Sequence, residues 1–135
     1  MQIKKVVVIG SGTMGSGIAA HLCNANIPVT LLDLKTEISE QARDRIHKSK
    51  PPLLLDKSKI NNIKVGNISD NFSEVAEADW VVEAVVERID IKHNIYEKIF
   101  KVRKKGAIVS SNTSSIPIKV LSQHLSEEEK KDFCI

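Results

Sequence analysis

The chain has 135 residues, of which 27% are charged and 41% hydrophobic, and its formal net charge is +3. This length is sufficient for one domain with a sizeable core. Basic residues are spread along the sequence, and the densest run, 103–105, is typical of a solvated helix end, so we expect no nucleic-acid partner. We also expect no membrane segment and no leader peptide, because no apolar run approaches spanning length and residues 1–5 lead directly into a strand.

The two cysteines, Cys23 and Cys134, lie far apart, and neither has neighbours at the spacing of metal ligands. This usage is typical of reduced thiols in a cytoplasmic protein, and it predicts no metal site. Cys23 is expected on the buried face of the first helix.

The apolar run Val6–Ile9 predicts a strand buried on both faces, and a glycine-rich turn follows it directly. Gly10, Gly12 and Gly15 form the pattern G-x-G-x-x-G, and residues 13–25 carry apolar side chains at helical spacing. In this context the first glycine permits a tight turn, the second permits close approach of a pyrophosphate, and the third permits close packing of the helix on the strand. Strand, turn and helix together therefore predict a dinucleotide site at the positive end of the helix dipole.

The first helix is expected to end at Asn26, which suits a left-handed helix cap, and Pro28 prevents it from continuing. A second strand is predicted over 29–33. Asp33 lies 21 residues after Gly12, at the carboxyl end of this strand. A carboxylate there can accept hydrogen bonds from the adenine ribose and would repel a 2′-phosphate, so NAD is favoured over NADP. Two alternative interpretations are that the glycine pattern arises by chance and that Asp33 is a solvated turn residue.

The middle of the chain predicts shorter elements. A helix over 37–48, with Thr36 as its N-cap, precedes an irregular segment at 51–62. A short strand at 63–65 and one or two helical turns at 73–78 follow.

A further strand is predicted at 79–86, where Glu83 is unusual because a buried carboxylate needs a partner. We interpret Glu83 as a hydrogen-bonded structural acid. The next helix is predicted over 90–105 with Asp90 as its N-cap, and a strand at 107–110 follows.

The last part of the chain predicts a loop at 111–115 and a helix that begins at Pro117 and extends to Leu125. Ser126 and Glu129 have the spacing of a capping box for one more short helix. Residues 133–135 are typical of the beginning of a sixth strand.

Strands that alternate with helices predict an α/β fold, a Rossmann-type doubly wound parallel sheet with strand order 3-2-1-4-5-6. We expect residues 1–135 to form one such domain, truncated near the sixth strand. Ligands of these sheets bind beyond the carboxyl ends of the strands, where Gly10, Asp33, 85–87 and 112–114 are expected.

Three blocks of the sequence resemble the NAD-binding part of the 3-hydroxyacyl-CoA dehydrogenases. They are residues 8–19 (VIGSGTMGSGIA), 80–87 (WVVEAVVE) and 110–115 (SSNTSS). The first block is common to many dehydrogenases, whereas the second and third, in this order and spacing, are much more specific.

The resemblance implies that the glycine-rich turn contacts the pyrophosphate, Asp33 the adenine ribose and Asn112 the nicotinamide ribose. It also implies that Ser114 binds the 3-hydroxyl or 3-keto oxygen of the substrate and is thus the catalytic residue of this chain. The full set of implied cofactor-binding residues is Gly10, Gly12, Thr13, Met14, Gly15, Asp33, Ala84, Val85, Glu87, Lys92, Asn112 and Ser114. The alternative for 112–115 is a helix-capping loop, since serine and asparagine are common there.

The histidine that acts as general base in the family lies just beyond residue 135, and none of His21, His47, His93 and His124 occupies its position. The resemblance therefore implies an NAD-dependent dehydrogenase of fatty-acid β-oxidation, with an acyl-CoA substrate, that is not active as this chain alone. The family's helical substrate and dimerisation domain is also expected to be absent, so a second chain or self-association through the open sheet edge is expected.

Two other hypotheses remain. The first is a non-enzymatic NAD-binding remnant or sensor module, which differs from the dehydrogenase in turnover rather than in NADH binding. The second is a different two-domain dehydrogenase, which the Ser-Asn-Thr-Ser-Ser block disfavours.

Overall fold

The computed structural model describes residues 2–135 and contains one six-stranded sheet. The strands are β1 (Val6–Ile9), β2 (Val29–Asp33), β3 (Ile63–Asn67), β4 (Trp80–Glu83), β5 (Ile108–Ser111) and β6 (Phe133–Cys134). Their order is β3-β2-β1-β4-β5-β6 and every neighbouring pair is parallel. The predicted Rossmann-type sheet and its strand order are confirmed.

Helices connect the strands and cover both faces of the sheet. The α-helices are α1 (Thr13–Asn24), α2 (Thr36–Lys48), α3 (Ile68–Asn71), α4 (Ile89–Val102), α5 (Ile118–Leu121) and α6 (Glu127–Lys130), and two 3-10 helices lie at Lys57–Asn62 and Phe72–Glu77. Within residues 2–135, no helix is both long enough and apolar enough to cross a membrane.

The core consists of two apolar layers, one on each face of the sheet. Val6 and Val8 of β1 belong to the layer beneath α1 and α2, whereas Val7 and Ile9 belong to the layer beneath α4. This division follows from the strand backbone, because successive side chains point to opposite faces. Both layers are apolar, which is why the central strands read as continuous hydrophobic runs.

Two predicted helix N-caps are wrong. Thr36 and Asp90 lie inside the first turns of α2 and α4, and the N-cap positions are Lys35 and Arg88, neither of which makes a side-chain cap. Both predicted side chains have other partners. Thr36 accepts a hydrogen bond from the Asn67 amide, and the Asp90 carboxylate pairs with Arg88 at 2.9 Å.

Several predicted boundaries also differ. β4 ends at Glu83 rather than at residue 86, because the Val85 amide donates to the Glu83 carboxylate and turns the chain out of the sheet. α4 ends at Val102 rather than at residue 105, and α5 is a single turn that ends at Leu121 rather than at residue 125.

Other expectations for local structure are confirmed. Asn26 has a φ of 61°, as its role after α1 requires, and Ser126 and Glu129 form the capping box of α6. Cys23 is buried, which raises the pKa of its thiol to about 11, and Cys134 is exposed. Part of the segment expected to be irregular is ordered as the 3-10 helix Lys57–Asn62, which Asp56 caps.

Candidate functional site

Strand register brings four chain segments together at one edge of the sheet. Ile9 pairs with Leu32 on one side and with Glu83 on the other, and Glu83 pairs with Ser111. The residues that follow these positions therefore lie side by side. A cleft of about 730 Å³ opens there, lined by Gly10, Ser11, Gly12, Thr13, Met14, Asp33, Leu34, Ile68, Ala84, Val85, Val86, Glu87, Ile91, Ile95, Asn112, Thr113 and Ser114.

The three motif glycines have different surroundings. Gly10 has a φ of +103°, and a Cβ there would lie 2.3 Å from the carbonyl oxygen of Ala84. A Cβ on Gly15 would lie 1.9 Å from the carbonyl oxygen of Gly10, so α1 packs directly on the turn. A Cβ on Gly12 would have no atom within 4 Å. Gly10 and Gly15 thus permit the close packing of the fold, whereas Gly12 leaves open space at the N-terminus of α1, where a helix attracts anions.

Asp33 is held against the glycine-rich turn by Ser11. Its Oδ2 atom accepts hydrogen bonds from the Ser11 amide at 2.8 Å and from the Ser11 hydroxyl, and its Oδ1 atom accepts one from the Leu34 amide at 2.7 Å. The Ser11 carbonyl in turn accepts a hydrogen bond from the Arg45 guanidinium at 3.1 Å. The carboxylate is therefore fixed at the end of β2 and faces the cleft.

The opposite end of the cleft is formed by residues 112–115. The hydroxyls of Thr113 and Ser115 both donate to Glu87 Oε2 at 2.8 Å, and Ser114 lies exposed between them. Thr113 Oγ1 also accepts a hydrogen bond from the Ile116 amide at 3.2 Å, which closes a turn within the loop. This contact is not a helix cap, because α5 begins at Ile118 and its N-cap, Pro117, makes no side-chain cap. Hydrogen bonds from Ser115, Lys92 and Thr113 lower the pKa of Glu87 to about 2, so its carboxylate is ionised at neutral pH.

Glu83 is fully buried at the end of β4, and the prediction of a hydrogen-bonded structural acid is confirmed. It accepts hydrogen bonds from the Val85 amide, the Lys92 ammonium, the Ser111 hydroxyl and the Tyr96 hydroxyl. Burial, followed by the hydrogen bond to Glu83, raises the pKa of Tyr96 well above its usual value. Tyr96 is therefore a neutral donor to this carboxylate.

Most of the predicted site residues line the cleft, and two do not. Gly15 lies beneath the turn, and Lys92 has no exposed side-chain surface, because its ammonium is enclosed between two carboxylates. The sequence analysis missed five lining residues, which are Ser11, Leu34, Ile68, Ile91 and Ile95. Ser11 and Leu34 directly follow the predicted residues Gly10 and Asp33 in the sequence, and this adjacency is the signal that could have found them.

All four histidines lie outside the cleft lining. The His93 ring nitrogen lies 2.8 Å from the Val120 carbonyl oxygen, and the His93 and His124 rings are in edge contact with centroids 4.5 Å apart. Within the described residues, no cluster of three or more histidine, cysteine or acidic side chains could hold a metal ion.

Acid should weaken the fold in part through Glu87. Its pKa in the folded state, about 2, lies below its usual value of 4.5, so its ionisation stabilises the fold above about pH 4.5. This contribution is lost as the pH falls through 2. We expect Glu87→Gln to lower the free energy of unfolding at pH 7, and the difference from the wild type to shrink towards zero near pH 2.

Urea unfolding at a series of pH values measures this difference. Glu97→Gln, at an exposed position on α4, is the control and should have little effect at any pH. A Glu87→Gln difference that stays constant from pH 7 to pH 2 would contradict the assignment.

Comparison with known proteins agrees with this geometry. A family model for the 3-hydroxyacyl-CoA dehydrogenase NAD-binding domain matches residues 5–135. A Deinococcus radiodurans protein named as a 3-hydroxyacyl-CoA dehydrogenase is 41% identical over 98% of this chain, and a Rickettsia felis protein named as a fatty acid oxidation complex trifunctional enzyme is 42% identical over 99%. The crystal structure of (S)-3-hydroxybutyryl-CoA dehydrogenase from Ralstonia eutropha superposes with a TM-score of 0.81 at 28% identity over 98% of this chain.

The chain spans only part of each of these proteins. It covers 40% of the Deinococcus protein, 20% of the Rickettsia protein and 48% of the Ralstonia structure. The family match nevertheless extends over nearly all of the chain. The chain therefore belongs to the 3-hydroxyacyl-CoA dehydrogenase family, and it is the NAD-binding domain of that family.

Proposed function

We propose that NAD lies along the cleft with its adenosine at Asp33, its pyrophosphate at the glycine-rich turn and its nicotinamide at residues 112–114. The residues fit such a ligand. Gly12 leaves space where a side chain would stand, and the adjacent N-terminus of α1 favours an anion. The fixed carboxylate of Asp33 suits the hydroxyls of a ribose, and the exposed Met14 and Leu34 offer apolar surface to a base.

The Asp33 carboxylate should select NADH over NADPH. We expect Asp33→Ala to weaken NADH binding about tenfold, since the ribose hydroxyls lose a charged acceptor. The ratio of NADH affinity to NADPH affinity should also be smaller in this variant than in the wild type, because the repulsion of a 2′-phosphate is removed. Titration of nicotinamide fluorescence with both cofactors measures the two effects.

Asp44→Ala is the matched control for this variant, because Asp44 is exposed on α2 and lies outside the cleft. Unchanged NADH affinity in Asp33→Ala would show that the adenosine does not lie at β2.

We further propose that this chain is the cofactor part of an enzyme that oxidises (S)-3-hydroxyacyl-CoA to 3-oxoacyl-CoA in fatty-acid β-oxidation. Bound NAD⁺ supplies the hydride acceptor for the C3–H bond of the substrate. The Ser114 hydroxyl, exposed at the nicotinamide end, would hydrogen-bond the 3-oxygen and orient the carbinol. The hydroxyl proton must leave to a base, and among the described residues that line the cleft there is no histidine to accept it.

The proton acceptor is therefore proposed to come from outside residues 2–135, in a second domain or a second chain. This chain covers only 40% and 20% of the Deinococcus and Rickettsia relatives, which supports this arrangement. Self-association through the sheet edge at β6 is the other arrangement that we propose. A cytoplasmic location is proposed on the basis of the two unpaired thiols.

NADH oxidation with acetoacetyl-CoA tests this function. We expect the chain to bind NADH but to turn it over negligibly, and acetoacetyl-CoA to perturb the fluorescence of the bound NADH. Loss of that perturbation in Ser114→Ala would support the role of Ser114. Failure to bind NADH would contradict the cofactor site, and rapid turnover would contradict the external base.

A non-enzymatic NAD-binding module is the second candidate, and the absence of histidine from the described cleft lining favours it. The two candidates differ in their response to acyl-CoA. A dehydrogenase part should respond to acetoacetyl-CoA when NADH is bound, whereas a sensor of NAD alone should not.

A further inference from the structure

The segment between α2 and the first 3-10 helix presents two leucines to the solvent. Leu54 belongs to the apolar layer beneath α1 and α2 and is 6% exposed, whereas its neighbours Leu53 and Leu55 are 43% and 84% exposed. Leu55 is more exposed than any other large apolar side chain of residues 2–135. A single exposed leucine is common on protein surfaces, so the setting of this pair decides what it means.

The backbone that carries the two leucines is fixed by Asn24, the last residue of α1. The Asn24 amide group donates to the Leu53 carbonyl at 2.9 Å and accepts a hydrogen bond from the Leu55 amide at 2.9 Å. Pro51 and Pro52 restrict the backbone just before this contact. The leucines are therefore held outward in the free protein, and a partner that covers them does not have to order the segment first.

Three lysines flank the leucines. Lys48 ends α2, Lys50 precedes the two prolines and Lys57 begins the 3-10 helix, and all three are exposed. The lysine ion pairs among residues 2–135 involve other lysines. Asp56, the acid of this segment, is engaged as the cap of the 3-10 helix and accepts a hydrogen bond from the Ser58 amide at 2.9 Å. We call residues 48–57 the lysine–leucine loop.

The lysine–leucine loop lies at the edge of the sheet opposite the cleft. The helices α1 and α2 begin after the carboxyl ends of β1 and β2, where the cleft opens, and run back along the sheet. They have 12 and 13 residues, which corresponds to a length of about 18 Å. The loop is attached at their far ends, through Asn24 and Lys48. A surface that covers the loop would therefore leave the cleft open.

The size and charge of the loop favour a lipid surface over a protein partner. A specific protein interface takes about 20–30 residues a side, whereas the loop offers two apolar side chains. A bilayer surface requires no matching shape, because leucines enter the boundary between headgroups and acyl chains while lysine ammoniums attract anionic headgroups.

We propose that the lysine–leucine loop docks the chain reversibly on an anionic membrane surface. Leu53 and Leu55 insert at the headgroup boundary, and Lys48, Lys50 and Lys57 lie against the headgroups. The contact is peripheral and requires no spanning helix. It is independent of the proposed function, since it involves the opposite edge of the sheet.

Sedimentation of the whole chain with vesicles tests this proposal. We expect binding to vesicles of phosphatidylserine and phosphatidylcholine in equal parts, weakened by added salt, and little binding to phosphatidylcholine alone. Leu53→Ser/Leu55→Ser should lower the affinity for the anionic vesicles at least about tenfold. Ile118→Ser, on α5, is the matched control, because Ile118 is 44% exposed, and it should bind like the wild type.

Charge reversal separates docking through the loop from the general attraction of a basic chain. Lys50→Glu/Lys57→Glu should lower the affinity for anionic vesicles about tenfold or more. Lys98→Glu/Lys119→Glu changes the net charge equally, at exposed positions outside the loop, and should have a much smaller effect. The loop variants should keep the NADH affinity and the unfolding midpoint of the wild type, because their side chains lie away from the cleft and the core.

A wild-type chain that does not bind anionic vesicles would overturn the proposal, as would equal losses in the loop variant and the control variant with reversed charges. Self-association of the wild type without vesicles, abolished in Leu53→Ser/Leu55→Ser, would also overturn it. That result would assign the leucines to contact with a second copy of the chain.

Discussion

Gly15→Ala should destabilise the fold by about 3 kcal/mol or more. The added Cβ would lie 1.9 Å from the carbonyl oxygen of Gly10 and 2.9 Å from its carbonyl carbon. Neither atom can move freely, because Gly10 itself packs against the carbonyl of Ala84 at the end of β4. Relief of the overlap requires α1 to move away from β1, which would open the apolar layer that contains Ala19 and Cys23. Urea unfolding followed by circular dichroism measures the loss.

Gly17→Ala, two residues further along α1, is the matched control. A Cβ there would have no atom within 4 Å. Because alanine is the better helix former, this variant should be as stable as the wild type or more stable by up to about 1 kcal/mol. An unfolding midpoint of Gly15→Ala equal to that of the wild type would contradict the close packing of α1 on the turn.

Gly12→Ala should preserve the stability of the fold and impair cofactor binding, in contrast to Gly15→Ala. Its Cβ would meet no protein atom within 4 Å, and its φ of −69° and ψ of −168° are accessible to alanine, so the unfolding free energy should change by less than about 1 kcal/mol. The methyl group would instead occupy the open space at the N-terminus of α1, where we place the pyrophosphate. NADH affinity should fall by at least about tenfold.

Fluorescence titration with NADH, together with urea unfolding, separates these two effects. Gly17→Ala again serves as the control, since its position lies outside the cleft lining. A Gly12→Ala variant that binds NADH as tightly as the wild type would show that the pyrophosphate does not lie against the turn.

The fold was predictable because its determinants are local. Four buried strands read as apolar runs, and each is followed by a turn signal and a helical pattern, so the alternation alone specifies a parallel sheet. The handedness rule for crossovers and the glycine pattern at 10–15 then restrict the strand order to the one observed. Asp33 could be placed at the cleft because its position at a strand end follows from the same pattern.

Contacts between residues that are distant in the sequence could not be predicted. Lys92 was expected to line the cofactor site, and its position on α4 gave no reason to expect a buried ammonium. Its burial depends on Glu83, which comes from a different element, and on the path of residues 84–87 after β4. The contact of Arg45 with the Ser11 carbonyl spans 34 residues and has no local signature.

The helix N-caps show a related difficulty. Thr36 and Asp90 are suitable capping residues, but each meets a competing partner nearby, Asn67 and Arg88 respectively. Capping preferences describe isolated helix ends, and a nearby hydrogen-bond partner is sufficient to override them. The capping box of α6 was predicted correctly because its two members, Ser126 and Glu129, lie within one turn and bond to each other's backbone.

The most direct test of the account is to map NAD⁺ binding residue by residue on the isotope-labelled chain by amide chemical shifts. We expect the large shifts in a continuous band along the cleft, at residues 10–15, 33–34, 84–87 and 112–115. A titration with ADP, which lacks the nicotinamide half, should shift only the amides in the first two ranges. Shifts concentrated elsewhere, such as at the His93 and His124 pair, or no saturable shifts at all, would contradict the placement of NAD in this cleft.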